Sequence, residues 1–233
     1  ELTKYAANAF LATKIAFINE IADICEKVGA NIEQVADGIG SDHRIGRNYL
    51  SPGPGFGGSC FPKDTLALRK IGRDFEAPTQ VVDAVVKSND NRKHAMAKKI
   101  IAANGGDVFC KNIALLGLAF KANTDDMRES PSLVIVPTLR KRGAHIRAFD
   151  PEAMEQAQKE LGDEEITWCN DAYDALDGAD CAVIATEWNE FRNLDLDEVK
   201  KRLKTPLLID LRNLYPRHYV QKFGLKYVSI GRP

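Results

Sequence analysis

From Thr3 to Val28 apolar residues recur densely, at Phe10, Ile15, Phe17, Ile18, Ile21 and Ile24, and no proline or glycine interrupts them before Gly29. That pattern predicts one long, largely buried helix with Gly29 as its stop. Asn31 and Gln34 resemble a capping pair that opens a short helix through Ala36, closed by Gly38 and Gly40. After a Pro/Gly-rich loop, Asp64 is placed to cap a helix through Leu66, Leu68 and Ile71. Thr79 is placed to cap a longer one through Val82, Val86, Met96 and Ile100, which stops at Gly105 and Gly106.

The pattern changes at Asn112. NIALLGLAF is a short apolar run, followed by a helical stretch from Ser132 to Lys141, then HIRAFD, then a helix near Glu152 to Leu161. CAVIAT and PLLIDL are further runs of strand length, and KYVSI is a candidate edge strand. Strands alternating with helices imply a parallel sheet with right-handed crossovers. The expected fold is therefore a mainly α domain over residues 1–108, followed by an α/β Rossmann-like domain with a mostly parallel sheet over 109–233. The boundary falls between Gly105 and Lys111.

Composition narrows the function. With 32 Lys and Arg against 33 Asp and Glu in 233 residues, the net charge of −1 gives no basis for nucleic-acid or membrane-surface binding. No apolar run reaches the roughly 20 residues a bilayer span needs, and ELTKYAANAF does not read as an export signal. Cys25, Cys60, Cys110, Cys169 and Cys181 form an odd set without C-x-x-C, so neither a disulfide framework nor a zinc site is expected, and a reducing cytoplasm fits. His43, His94, His145 and His218 are dispersed, so no metal is assigned.

Within PGPGFGGSCFPKD, Gly53, Gly55 and Gly58 spell G-x-G-x-x-G, the spacing of a dinucleotide loop. Such a loop must follow a strand and open a helix, so that a pyrophosphate meets free N–H groups. The preceding SDHRIGRNYLSP is no strand, and Pro52 and Pro54 remove backbone donors. The glycines are better read as letting backbone approach closely around the residue they deliver, Cys60. Cys60 lies before a predicted helix N-terminus and near Lys63, and both positive ends favour thiolate over thiol. Asp64 follows four residues later, either as a helix cap or as a carboxylate that orients water. The other four cysteines sit in or beside apolar runs and read as structural. Lys4 and Asn8 stand at i and i+4 and leave one helix face together, which suits oxyanion and water contacts as well as it suits a plain helix contact. In the second half, Asp150 ends a strand where a ribose-binding acid often sits, yet the first turn, G-L-A-F-K, has no glycine triplet. Phosphate charge would then fall to side chains, and Lys121, Arg128 and Arg212 all lie at or beyond strand C-terminal ends.

Taken in order, ELTKYAANAFLATKIAFINE, HRIG, FGGSCFPKD, GLAFKANTDDMRESPS and ATEW resemble the nucleotide-sugar 6-dehydrogenases along essentially the whole chain. The resemblance begins in the middle of that family's polypeptide, so the family's N-terminal NAD-binding domain is not expected here. It implies a helical dimerisation domain, a UDP-binding domain, a homodimer, and NAD as the cofactor. It also implies a two-step oxidation of a sugar C6 alcohol to a carboxylate. Cys60 would capture the aldehyde as a thiohemiacetal and become a thioester; Lys4 would stabilise the oxyanion; Asn8 and Asp64 would position water. Lys63 and Arg128 would meet the cofactor's pyrophosphate. Phe56 and Gly57 would line the sugar cleft, with Tyr49, Lys121 and Arg212 contacting substrate and Arg44 reaching a neighbouring subunit's substrate. FPKD and ATEW favour UDP-glucose over GDP-mannose, and Ser59 with PKD disfavours UDP-N-acetylmannosamine. The alternative from another class is a non-catalytic nucleotide-binding and dimerisation module.

Overall fold

The computed structural model describes residues 1–232. The chain forms two compact units: the first comprises residues 1–93 with the terminal segment from Ile230, the second residues 94–229.

The first unit is built from α1 (Leu2–Val28), α2 (Ile32–Gly40), α3 (Phe61–Asp74) and the opening turns of α4 (Gln80–Ala103). Gly29 ends α1 in the left-handed conformation, as its position predicts. The expectation that α1 is largely buried needs correction. Its inward face is made of Ala9, Ala12, Ala16 and Ala22 with Ile18 and Cys25, whereas Phe10, Phe17 and Ile24 are 65%, 49% and 55% exposed. Small inward residues let α3 pack close to α1, and that closeness leaves no room for the aromatic rings. On α4 the apolar residues Val85 and Met96 are buried. Thr79 precedes α4, but its buried hydroxyl has no hydrogen-bond partner among the described residues, so it is not a side-chain cap.

Asn31 does cap α2, its Oδ1 accepting from the Glu33 N–H at 2.9 Å, a contact whose loss costs about 1 kcal/mol. The same helix start receives the terminal segment. Ile32 N–H donates to the Gly231 carbonyl at 2.9 Å, Gly231 N–H donates to Glu26 Oε1 at 2.8 Å, and Arg232 pairs with Glu33 at 3.1 Å. Gly231 has φ +65°, and a β-carbon there would stand 2.7 Å from the Ile32 side chain, so only glycine fits this seat.

The second unit follows the chain as β1 (Asn112–Leu116), α5 (Ser132–Arg140), β2 (His145–Phe149), α6 (Met154–Leu161), β3 (Ile166–Trp168), α7 (Ala172–Leu176), β4 (Cys181–Ile184), α8 (Asn189–Arg192), α9 (Leu196–Arg202), β5 (Leu207–Asp210), α10 (Arg217–Lys222) and β6 (Lys226–Ser229). The six strands order as β3-β2-β1-β4-β5-β6 and every pairing is parallel. This is the expected α/β fold, with order reversing between β1 and β4. Central strands β1 and β4 read as unbroken apolar runs because both faces are covered: Ile113–Leu116 and Cys181–Ile184 are fully buried. Edge strand β3 is only three residues, two of them half-buried, and left no periodic signal to predict it.

Candidate functional site

The loop ahead of α3 is irregular yet buried from Pro52 to Gly58, so its backbone polar groups need partners that no sheet supplies. Three polar side chains provide them. Asn19 Oδ1 accepts from Gly53 N–H at 2.8 Å, and Arg92 Nε donates to the Gly53 carbonyl at 2.9 Å. Asn89 accepts from Phe56 N–H at 2.8 Å and donates to the Phe56 carbonyl at 3.1 Å. Gly55 has φ +116°, and a β-carbon there would lie 3.0 Å from the Asn89 amide. Gly55 serves close packing of backbone on α4, and no strand precedes the loop.

The loop delivers Cys60 to the N-cap position of α3, where its side chain is exposed and its Sγ lies 3.7 Å from Ser59 Oγ. One turn on, Asp64 is fully buried. Its N–H bonds the Cys60 carbonyl at 2.9 Å as an ordinary helical link, so Asp64 is a first-turn residue and not the cap expected of it. Pro62, which needs no N–H partner in a first turn, lets α3 begin at Phe61. Asp64 Oδ2 accepts from Asn8 Nδ2 at 2.6 Å and lies 3.7 Å from Lys4 Nζ. Its Oδ1 is buried without a hydrogen-bond partner among the described residues. The structure thus brings Lys4, Asn8 and Asp64 together one helical turn behind the cysteine.

Three aromatic rings flank this group. Phe61, next to Cys60, packs edge-to-face on buried Phe56 at 5.8 Å and on exposed Tyr49 at 6.1 Å. Gly57 is buried in the loop and Lys63 is exposed on the first turn of α3. Arg44 is exposed and folds back on Asp42, its guanidinium gripping the carboxylate at 2.6–3.1 Å. That pairing holds the Asp42 carboxyl below its usual range. Lys14 pins the same segment to α1 through the carbonyls of Ile45 and Gly46.

In the second unit the strand ends behave differently from expectation at one residue. Asp150 is fully buried. Its Oδ2 accepts from the N–H groups of Leu118 and Ala119 at 2.7 and 3.0 Å and from Trp188 Nε1 at 3.2 Å, and its Oδ1 accepts from Glu152 and Ala153 N–H. It is committed to the turn after β1 and has no capacity left for a ribose. Those N–H groups, which a phosphate would meet in a dinucleotide loop, are already taken by a carboxylate. Arg212 ties two strand ends together, donating to the carbonyls of Ala185 and Phe120 at 2.8 Å each and pairing with Glu187 at 3.0 Å. Burial pulls its pKa below the ordinary guanidinium value, against the attraction of Glu187 and Asp210. Lys121 is exposed over the Phe120 ring. Arg128 grips Asp126 through two nitrogens at 2.8–2.9 Å, and with Asp125, Met127, Gln156 and Glu160 they line a cleft of about 270 Å³.

Residues 1–91 match the model of the UDP-glucose/GDP-mannose dehydrogenase family's central domain, and residues 114–217 match that family's UDP binding domain. The chain belongs to the UDP-glucose/GDP-mannose dehydrogenase family. Among its relatives, the UDP-glucose 6-dehydrogenase of Rhizobium meliloti (strain 1021) is 58% identical over 100% of this chain and 53% of its own length. UDP-glucose 6-dehydrogenase TuaD of Bacillus subtilis is 48% identical over 100% of this chain and 50% of its own. A solved UDP-glucose dehydrogenase from Pyrobaculum islandicum superposes with a TM-score of 0.83 at 36% identity, covering 98% of this chain and 49% of that one. The chain spans about half the length of the curated relatives it matches.

The cofactor expected for the family needs a glycine-rich cradle for its pyrophosphate. Neither glycine-rich turn here fits that need: the loop before Cys60 follows no strand, and the amides after β1 belong to Asp150. Lys63 is exposed in the first unit, and in the second Arg128 is engaged with Asp126. Asn19, Asn89, Arg92 and Trp188 are the site-supporting residues that sequence reasoning missed. For Asn19, Asn89 and Arg92 the two prolines in the loop were the available signal, because a buried loop without ladder partners requires inward polar side chains from its neighbours.

Proposed function

We propose that this chain carries the thiol chemistry and the UDP-binding part of a cytoplasmic, NAD-dependent UDP-glucose 6-dehydrogenase. The observation that carries the reading is the exposed Cys60 at the start of α3, with buried Asp64 one turn behind it bonded to Asn8 and close to Lys4. Cys60 Sγ adds to the C6 aldehyde, its proton leaving as the carbonyl oxygen becomes a thiohemiacetal hydroxyl. Oxidation of that adduct gives the thioester, and water then releases UDP-glucuronate and the free thiol. Lys4 stabilises negative charge on the C6 oxygen. Asn8 and Asp64 hold the water, for which the unpartnered Asp64 Oδ1 is a ready acceptor. NAD, when bound, would supply the hydride acceptor for both oxidations; Lys63 is the cation proposed for its phosphates in the first unit, and Arg128, considered separately, in the second.

In the second unit Lys121 and Arg212 serve the UDP moiety; in the first, Phe56, Gly57 and Tyr49 serve the sugar and Arg44 serves a neighbouring subunit. The homodimer is placed on the outer stripe of α1, where Phe10, Phe17 and Ile24 repeat every seven residues and are exposed, a period that suits a second helix. Five free cysteines fit a reducing compartment, and among the described residues no helix is long and apolar enough to cross a membrane. The deciding assay is UDP-glucuronate formation from UDP-glucose and NAD by the full-length polypeptide and its Cys60→Ala variant. Loss of acid in the variant, with native folding, supports the reading; undiminished acid production overturns it.

A further inference from the structure

Cys60 is exposed and has few contacts of its own, so its direction must be set by what lies behind it. Asn89, only 5% exposed, treats Phe56 as a strand neighbour would, bonding both its N–H and its carbonyl. Gly55 is pressed against the same amide, so the loop cannot slide along α4 without breaking both bonds. The Phe56 ring then meets Phe61 edge-to-face at 5.8 Å, interplanar 88°, and Phe61 is the first residue of α3, adjacent to Cys60.

We propose that Asn89 is a positioning residue for the Cys60 thiol, acting through Phe56 and Phe61 without touching substrate. The inference rests on the reading of Cys60 as the nucleophile. Because Cys60 is already exposed, loosening the loop cannot uncover it further. Loosening can only reduce the time the thiol spends presented, so its reaction with a small alkylating agent slows.

The test is per-site alkylation by iodoacetamide, read by mass spectrometry on the folded chain, with buried Cys25 of the same unit reporting unfolding. Asn89→Leu keeps the volume and removes both bonds to Phe56. Cys60 is expected to react about threefold slower or more, as follows if its presented population falls to a third, while Cys25 stays protected. A Cys60 rate that falls by less than this, with Cys25 protected, overturns the proposal and leaves Asn89 a purely structural residue. Should Asn89→Leu unfold, as rapid Cys25 alkylation reveals, Asn89→Asp takes its place under the same ruling, since it keeps the acceptor for Phe56 N–H and loses only the donor. A wild-type Cys60 that reacts no faster than the exposed Cys110 overturns the nucleophile reading and this inference with it. A fast wild-type Cys60 that ignores Asn89 overturns this inference alone.

Discussion

Asn8 and Asp64, 56 residues apart in sequence, meet at 2.6 Å with the asparagine amide donating into a fully buried carboxylate. Removing the donor by Asn8→Ala leaves that carboxylate with only the Lys4 ammonium at 3.7 Å among the partners described above, and an under-satisfied buried acceptor costs roughly 1–3 kcal/mol. Urea denaturation should show Asn8→Ala destabilised on that scale. The double variant Asn8→Ala, Asp64→Ala should be less destabilised than the sum of the two single changes, because one residue has no penalty to impose without the other. Strict additivity would show that the pair is not coupled.

The five cysteines should separate by accessibility. Cys60 and Cys110 are exposed, whereas Cys25, Cys169 and Cys181 are buried. Two thiols should alkylate in the native protein and three only on unfolding. Fast modification of three or more in the native chain would contradict the burial of Cys25, Cys169 or Cys181.

A pH dependence follows from the same thiols. Burial pushes Cys169 and Cys181 up from 9.0 to about 11. Below pH 9 both folded and unfolded thiols keep their protons, so the pair leaves stability unchanged. Between pH 9 and 11 the unfolded chain ionises them while the folded chain does not, and stability falls with rising pH. Chemical denaturation across this window should show a decline that flattens in Cys169→Ala, Cys181→Ala. An equally steep decline in the double variant would assign the alkaline loss elsewhere.

Lys121 and Arg212 should divide binding from stability. Lys121→Ala removes an exposed charge and should shift stability by no more than about 0.5 kcal/mol while weakening UDP binding in calorimetry. Arg212→Ala also strands the carbonyls of Ala185 and Phe120, and should lower stability by roughly 1–3 kcal/mol along with UDP affinity. Unchanged UDP binding in Lys121→Ala would remove that residue from the proposed site.

The apolar stripe on α1 makes the proposed dimer testable. Phe17 is half exposed, so Phe17→Glu should fold normally yet sediment as a monomer at micromolar concentration, where the parent chain sediments as a dimer. A dimeric Phe17→Glu, or a monomeric parent, would move the interface off this helix.

The sequence made Cys60 and Asp64 legible as a pair because FGGSCFPKD sets them one helical turn apart at a helix start, and the i, i+4 spacing of Lys4 and Asn8 put those two on one face. The inward turn of Asn19, Asn89 and Arg92 was hidden. A polar residue on an amphipathic helix looks solvated until the unpaired backbone it must satisfy is known. Asp150 misled for the related reason that a strand-end carboxylate can serve a ligand or the chain's own amides, and only geometry tells which. Hydrophobicity alone also reversed the orientation of α1, since it ranks phenylalanine above alanine for burial while close helix contact ranks them the other way. The alternating strands were readable because covered parallel strands are unbroken apolar runs, and β3 was missed because a short edge strand is not.

The seat that Gly231 occupies beside Ile32 and Glu26 has a temporal meaning. A ribosome makes α1 and α2 before the second unit, yet the hydrogen bonds that finish their junction come from residues made after the whole of that unit. Until residue 231 is synthesised, the Ile32 amide must be satisfied by water and the surfaces of Ala22 and Ile32 that face Gly231 stay uncovered. The unit bearing the candidate nucleophile is therefore started before the second unit and closed after it, so a nascent chain stalled before residue 231 would hold Cys60 on an incomplete support.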